Sequence, residues 1–185
     1  ADRYGEPTGE LSARYESRGG VGTVSTGVGD SGGVSYGTYQ LATTRGTPGE
    51  FVDWAAEHYP QAHARLDGLT PGSAAFGERW RELAAADPDG FGAAQHDFIV
   101  QSHYQPGVDR IAARGPEFTL AGRDDVVADV VWSTTVQHGA GGAATVFANA
   151  LRGEDVAAMS DADLIRAVYA ERGRDDGMAY FSRNS

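Results

Sequence analysis

A stretch that cannot be helical sits near one end of a chain whose remaining pattern is helical. Gly19, Gly20, Gly22, Gly27, Gly29, Gly32, Gly33 and Gly37 crowd residues 19–37, and each glycine inside a helix costs about 1 kcal/mol relative to alanine. Val21, Val24 and Val28 are spaced among them as a strand, a turn and a second strand would be. The second strand is expected over Ser35–Ala42, which places Tyr36 and Gln40 on one face and Tyr39 on the other.

Helical patterns flank this stretch. Thr8 can cap a helix running to about Ser17, with Leu11 and Tyr15 on one face. Thr47-Pro48 opens a second helix carrying Phe51, Val52, Trp54, Ala55 and Tyr59, which Pro60 interrupts. From Ser73 onward the periodicity is helical almost throughout. Phe76, Trp80 and Leu83 form one stripe, Phe98, Ile99 and Ser102 another, and Val127, Val130, Val131 and Thr134 a third. Asp124 and Asp125 suit the first turn of that third helix, and the glycines of 139–142 are expected to end it. A short helix over Thr145–Leu151 follows. Ser160 caps a last helix, with Asp163 at the capping-box position and Leu164, Ile165, Val168 and Tyr169 turned inward. No repeat or long linker divides these segments. The fold class expected is mainly α with a minor β part (α+β), a two-lobed helical domain spanning 1–185 with one small β-hairpin near its N-terminus. Trp54, Trp80 and Trp132 fall on apolar stripes and are expected in the core.

Charge and composition narrow the function. The formal net charge is −11, and every one of the 15 basic residues is arginine. Nothing offers the clustered cations that nucleic acid requires. No run of about 18 apolar residues is present to cross a membrane, and Ala1-Asp2-Arg3-Tyr4 has no apolar signal core, so a soluble, already processed chain is expected. Without cysteine the chain has neither disulfides nor a thiolate nucleophile. The histidines show no His-Glu-x-x-His pair, and His96, Asp97 and His103 lack a third ligand, so no metal or other cofactor is expected.

Two acidic residues stand apart by their settings. Glu16 closes the first helical pattern, and Asp30 lies in Gly29-Asp30-Ser31-Gly32-Gly33. Glycosidic bond cleavage needs two carboxyls in unlike environments, one held protonated and one ionised. A carboxyl at a helix C-terminal end, beside a tyrosine, is pushed toward its protonated form by the helix dipole and by desolvation. The same tetrad Gly-Asp-Ser-Gly occurs around the nucleophile of trypsin-like proteases, but that fold requires many strands and this chain is mostly helical.

A longer ordered string carries a family likeness. Arg14-Tyr15-Glu16-Ser17, Gly22-Thr23-Val24-Ser25, Gly29-Asp30 and Gly33-Val34-Ser35-Tyr36-Gly37-Thr38-Tyr39-Gln40-Leu41 resemble the lysozyme-like glycoside hydrolases at the C-termini of type VI secretion spike proteins and in phage endolysins. Weaker echoes occur in Gln95-His96-Asp97-Phe98-Ile99, in Val131-Trp132-Ser133-Thr134 and in Val168-Tyr169-Ala170-Glu171-Arg172. The likeness implies a secreted, extracellular muramidase acting on peptidoglycan or another aminosugar polysaccharide, with chitosanases of the wider lysozyme superfamily as the nearest alternative. A non-catalytic glycan-binding domain on the same fold is a further alternative. By that likeness Glu16 is the general acid, Asp30 the general base and Ser35 a hydroxyl that holds the attacking water. The resemblance also implies inversion. Tyr36 is expected as a sugar platform and Gln40 as a hydrogen-bonding partner. Gln137 and His138 either reach the substrate from the far lobe or cap a helix end. A monomer is expected.

Overall fold

The computed structural model describes residues 20–26, 33–115 and 118–174. The expected Thr8 helix, Glu16 and Asp30 lie outside the described residues. Two compact units divide the chain, with the boundary between Ile99 and Val100.

In the unit that ends at Ile99, three short strands form an antiparallel sheet in the order β1 (Val24–Ser25), β2 (Ser35–Tyr36) and β3 (Leu41–Ala42). Ser35 faces Ser25 on one side and Ala42 on the other, and Tyr36 faces Val24 and Leu41. The expected continuous strand over Ser35–Ala42 is therefore broken into two. Gly37 has φ +74 and Gln40 φ +51, both in the left-handed region, and Gln40 N–H donates to Gly37 O at 3.2 Å. This turn folds the segment back on itself, so Tyr36 and Gln40 do not share a strand face.

Among the described residues of this unit, four α-helices follow: α1 (Thr47–His58), α2 (Pro60–Leu66), α3 (Ala74–Ala86) and α4 (Pro88–Ile99). Their starts follow local chemistry. Pro48 sits in the first turn of α1, where its missing N–H costs nothing. Ser73 Oγ accepts from Phe76 N–H at 3.2 Å to cap α3, and Asp87 Oδ1 accepts from Gly90 N–H at 3.0 Å at the start of α4. The apolar stripes meet in an aromatic core. Trp80 packs against Phe91 with centroids 4.8 Å apart and against Phe51 at 5.4 Å, while Tyr36 meets Phe76 edge-on at 4.9 Å. Trp54 is half-buried and stacks on His58 with centroids 4.3 Å apart.

The unit from Val100 opens with a π-helical stretch, Val100–Tyr104, that leads into α5 (Gln105–Arg114), followed by α6 (Asp125–Ala150) and α7 (Asp161–Arg172). Nearly every position of α6 from Val127 to Thr135 is buried, apart from the half-buried Ser133, as befits a helix with neighbours on all sides. As expected, the glycine run interrupts it: α6 is two helices separated by a kink at Gly139. Gly139 has φ 69 and ψ 169, and the second helix follows at once and runs to Ala150, starting earlier than the short helix expected over Thr145–Leu151. A positive φ is accessible to glycine without strain, so Gly139 makes this break at no cost to its own backbone. Ser160 Oγ accepts from Asp163 N–H at 3.2 Å and donates to Asp163 Oδ2 at 2.8 Å, as its capping position predicts. Leu164 and Val168 are fully buried, but Tyr169 is 47% exposed, contrary to its expected inward position. It carries the Arg172 guanidinium over its ring at 5.1 Å instead. Trp132 lies in this core against Tyr104, and Trp80 in the other, as expected.

Candidate functional site

The sheet delivers three of the sequence-predicted residues. Ser35 occupies the central strand and is 8% exposed, with its backbone paired to both neighbours. Its N–H donates to Ser25 Oγ at 3.3 Å. The pairing of Ser25 with Ser35 closes the chain of 26–34, the segment that contains Asp30 in the sequence. Below that closure, Thr43 N–H donates to Val34 O at 2.9 Å and Gly37 N–H donates to Thr23 O at 2.8 Å, so the base of the segment is tied on both sides. Gln40 is half-buried, and its Nε2 donates to Gly37 O at 2.9 Å, closing the tight turn.

Tyr36 is a core residue rather than an open platform. Its ring is 0% exposed, held between Phe76 and Trp80, and its hydroxyl accepts from Gly72 N–H at 2.9 Å. Burial pushes its phenol above the ordinary tyrosine range, against the smaller opposing effects of the Gly72 bond and Arg81. A sugar stacking on Tyr36 would have to displace this packing. On the turn beyond it, the Tyr39 hydroxyl lies 2.7 Å from His96 Nδ1.

Gln137 and His138 belong to the other unit, within α6 just before the Gly139 kink. Gln137 is exposed and its Oε1 accepts from Arg172 Nη2. Arg172 Nη1 also donates to Ser133 Oγ at 3.0 Å and to Thr134 Oγ1 at 3.3 Å, so one guanidinium crosses from α7 to consecutive turns of α6. His138 is 9% exposed. Desolvation lowers its pKa, and the nearby Arg172 cation lowers it further, which favours the neutral imidazole. Both stand in the last turn before the chain leaves helical geometry at Gly139.

Sequence reasoning missed the residue that ties the sheet to the helices. Gln95 on α4 is 0% exposed among Phe91, Ala94 and Phe98. Its Nε2 donates to Val21 O at 3.1 Å and its Oε1 accepts from Thr38 N–H at 3.1 Å. Trp80 Nε1 donates to the same Val21 carbonyl at 2.9 Å. The available signal was a glutamine on an apolar stripe, because a fully buried amide must find partners for both its ends. Among the described residues, no three histidine or carboxylate side chains converge as a metal would require.

Residues 8–185 match the family described as Type VI secretion system spike protein VgrG3-like, C-terminal. The chain belongs to this family. The match runs through the positions of both Glu16 and Asp30. The chain is also 34% identical, over 163 residues, to the type VI secretion system spike protein VgrG3 of Vibrio cholerae serotype O1. The alignment takes in 88% of this chain but only 15% of that relative. Membership in the VgrG3-like C-terminal family thus accounts for nearly the whole chain, while most of the spike protein has no counterpart in it. Among the described residues, no helix is long and apolar enough to cross a membrane.

Proposed function

We propose that this chain is a single catalytic domain that hydrolyses β-1,4 links in peptidoglycan, between N-acetylmuramic acid and N-acetylglucosamine. The observation that carries the reading is the family match running through both Glu16 and Asp30. The sheet adds support, since the Ser25–Ser35 pairing and the ties of Val34 and Gly37 anchor both ends of the segment in which Asp30 stands. Glu16 donates its proton to the glycosidic oxygen. Asp30 takes a proton from water attacking the anomeric carbon on the opposite face, with the Ser35 hydroxyl holding that water. This arrangement inverts the anomeric centre when the carboxyls stand about 6.5–9.5 Å apart. Gln40, Gln137 and His138 are the polar groups assigned to substrate. His138, held neutral, can both donate and accept a hydrogen bond to sugar hydroxyls. The likeness to a type VI secretion system spike protein supports a domain that acts outside the producing cell, and we read it as a monomer without a cofactor.

A second reading is favoured by charge. At −11, the chain gains no long-range attraction to anionic wall polymers, whereas polycationic chitosan would be drawn to it. Incubating the protein with purified peptidoglycan and, separately, with chitosan, then reducing with borohydride and identifying products by mass spectrometry, separates the two. Reduced muramic-acid ends support the muramidase, and reduced glucosamine oligomers from chitosan alone support the chitosanase. Glu16→Gln keeps the shape and removes the donated proton, so turnover falls at least about a hundredfold. Full turnover by Glu16→Gln sinks the assignment of the acid, and product release from neither polymer sinks the two-carboxyl reading and leaves a glycan-binding domain.

A further inference from the structure

Gln95 occupies a place where an apolar side chain would pack as well. It lies on the buried stripe of α4, next to the aromatic core, and a primary amide there is unfavourable unless both its ends are bonded. Both are, and neither partner is a neighbour on its own helix. Nε2 reaches Val21 O, and Oε1 reaches Thr38 N–H, across sequence separations of 74 and 57 residues. These two backbone groups lie just outside the sheet ladder, Val21 before β1 and Thr38 in the turn after β2. The Val21 carbonyl receives a second donor from Trp80 Nε1, which fills its remaining lone pair. Room for the amide is provided by Gly37, where an added Cβ would stand 2.2 Å from Gln95 Oε1.

Val21 has a particular position in the chain. It lies between Glu16 and Asp30, so it is the pinned point through which the path from one carboxyl to the other must pass. Thr38 lies on the far side of Asp30, beyond the central strand. One amide therefore holds the chain before and after the Asp30 segment. We propose that Gln95 is a positioning residue: by holding Val21 and Thr38 to α4 it fixes the backbone on either side of the Asp30 segment, and it acts on the reaction through that backbone. The inference rests on the two-carboxyl reading. The separation of acid and base decides whether a water fits between base and sugar, and a displacement of about 1 Å at reacting groups can cost about a hundredfold in rate.

Gln95→Met and Gln95→Glu, with Val52→Ala in α1 as a control for general loss of stability in the same unit, test this. Turnover is measured on a soluble oligomer of alternating N-acetylglucosamine and N-acetylmuramic acid and on a chitosan oligomer, at temperatures where circular dichroism shows every variant folded. Gln95→Met is expected to lower kcat at least about tenfold with KM within about threefold of the parent, and Val52→Ala to leave kcat within about twofold. Gln95→Glu adds a signature that a purely structural role would not give. Burial raises the pKa of the introduced carboxyl; below that pKa the acid can donate to Val21 O and accept from Thr38 N–H as glutamine does. Its kcat relative to the parent is therefore expected to recover as pH falls, while that of Gln95→Met does not. An unchanged kcat in folded Gln95→Met, an equal loss in Val52→Ala, or a pH-independent ratio for Gln95→Glu overturns the positioning role alone. Absence of cleavage of either oligomer by the parent overturns the two-carboxyl reading and this inference with it.

Discussion

Tyr36→Phe separates a core tyrosine from a sugar platform. The substitution keeps the ring between Phe76 and Trp80 and removes only the hydroxyl that accepts from Gly72 N–H at 2.9 Å. A hydrogen bond of this kind contributes about 1 kcal/mol net, and more where the abandoned partner stays buried. Gly72 is exposed, so its N–H can turn to water and the cost stays near the low end, at about 1 kcal/mol. For a domain of this size, that lowers Tm by about 2–4 °C. Tyr36→Ala removes the whole ring from a site that is 0% exposed and is expected to cost about 3–5 kcal/mol. Urea unfolding followed by tryptophan fluorescence reads both values, with Trp80 beside the substituted ring as the reporter. In the hydrolysis assay, Tyr36→Phe is expected to leave KM within about twofold. A KM raised about tenfold without any change in the urea midpoint would refute the core assignment and restore Tyr36 to the substrate.

Gly37→Ala is expected to destabilise by about 3 kcal/mol, since φ is +74 and the new Cβ would lie 2.2 Å from Gln95 Oε1 and 3.0 Å from Trp80 Cζ2; a urea midpoint within error of the parent would contradict it. Arg123→Met removes a side chain that donates to Met159 O at 2.7 Å, to Val156 O at 2.5 Å and to Asp161 Oδ1 at 2.9 Å, and about 2–3 kcal/mol is expected in the same assay. Asp161 carries a linked pH effect. The Arg123 hydrogen bond, then the Asp124 N–H and the Arg123 charge, hold its pKa below 3.8. Its contribution is therefore complete above about pH 4 and is lost as pH falls through the depressed folded value, so urea midpoints below pH 4 should converge between the parent and Asp161→Asn.

The starts of α1, α3, α6 and α7 were legible in the sequence because capping is local chemistry. Thr47-Pro48, Ser73, the Asp124-Asp125 pair and Ser160 each stand within three residues of the groups they satisfy or the turn they initiate. The sheet was legible only in outline. Ser35–Ala42 has a composition suited to one strand, and the pair of left-handed residues Gly37 and Gln40 breaks it, held by a glutamine 57 residues away that no window of the local sequence contains. The break at Gly139 was legible from glycine density, but how soon the next helix starts depends on the packing of its turns, here the buried Ala143, Ala144, Val146 and Phe147. Tyr169 falls on the inward stripe by spacing and is drawn out by the Arg172 cation above its ring. For the site, the ordered string around Glu16 and Asp30 was readable, while the buried bonds of Tyr36 and Gln95 were not, because both depend on partners distant in the chain.

The glycine density that first marks residues 19–37 also explains why their support comes from elsewhere. Glycine loses more backbone freedom on ordering than any other residue and brings no side chain to bury in return. Strands of two residues each supply little more than a few ladder hydrogen bonds, and an isolated sheet of that size is not stable. Order must be imported from side chains that are already fixed. Trp80 and Gln95 serve this purpose because their helices bury them completely: with no rotamer freedom left to lose, each bond to Val21 or Thr38 costs little further entropy. Tyr36 works in the opposite direction, carrying its ring from the sheet into the helical core and its hydroxyl to Gly72. The segment that holds Asp30 can thus remain short of apolar residues while its base is fixed by the core of the same unit. This also makes the position of that base sensitive to substitutions in α3 and α4, whose residues stand far from it in the sequence.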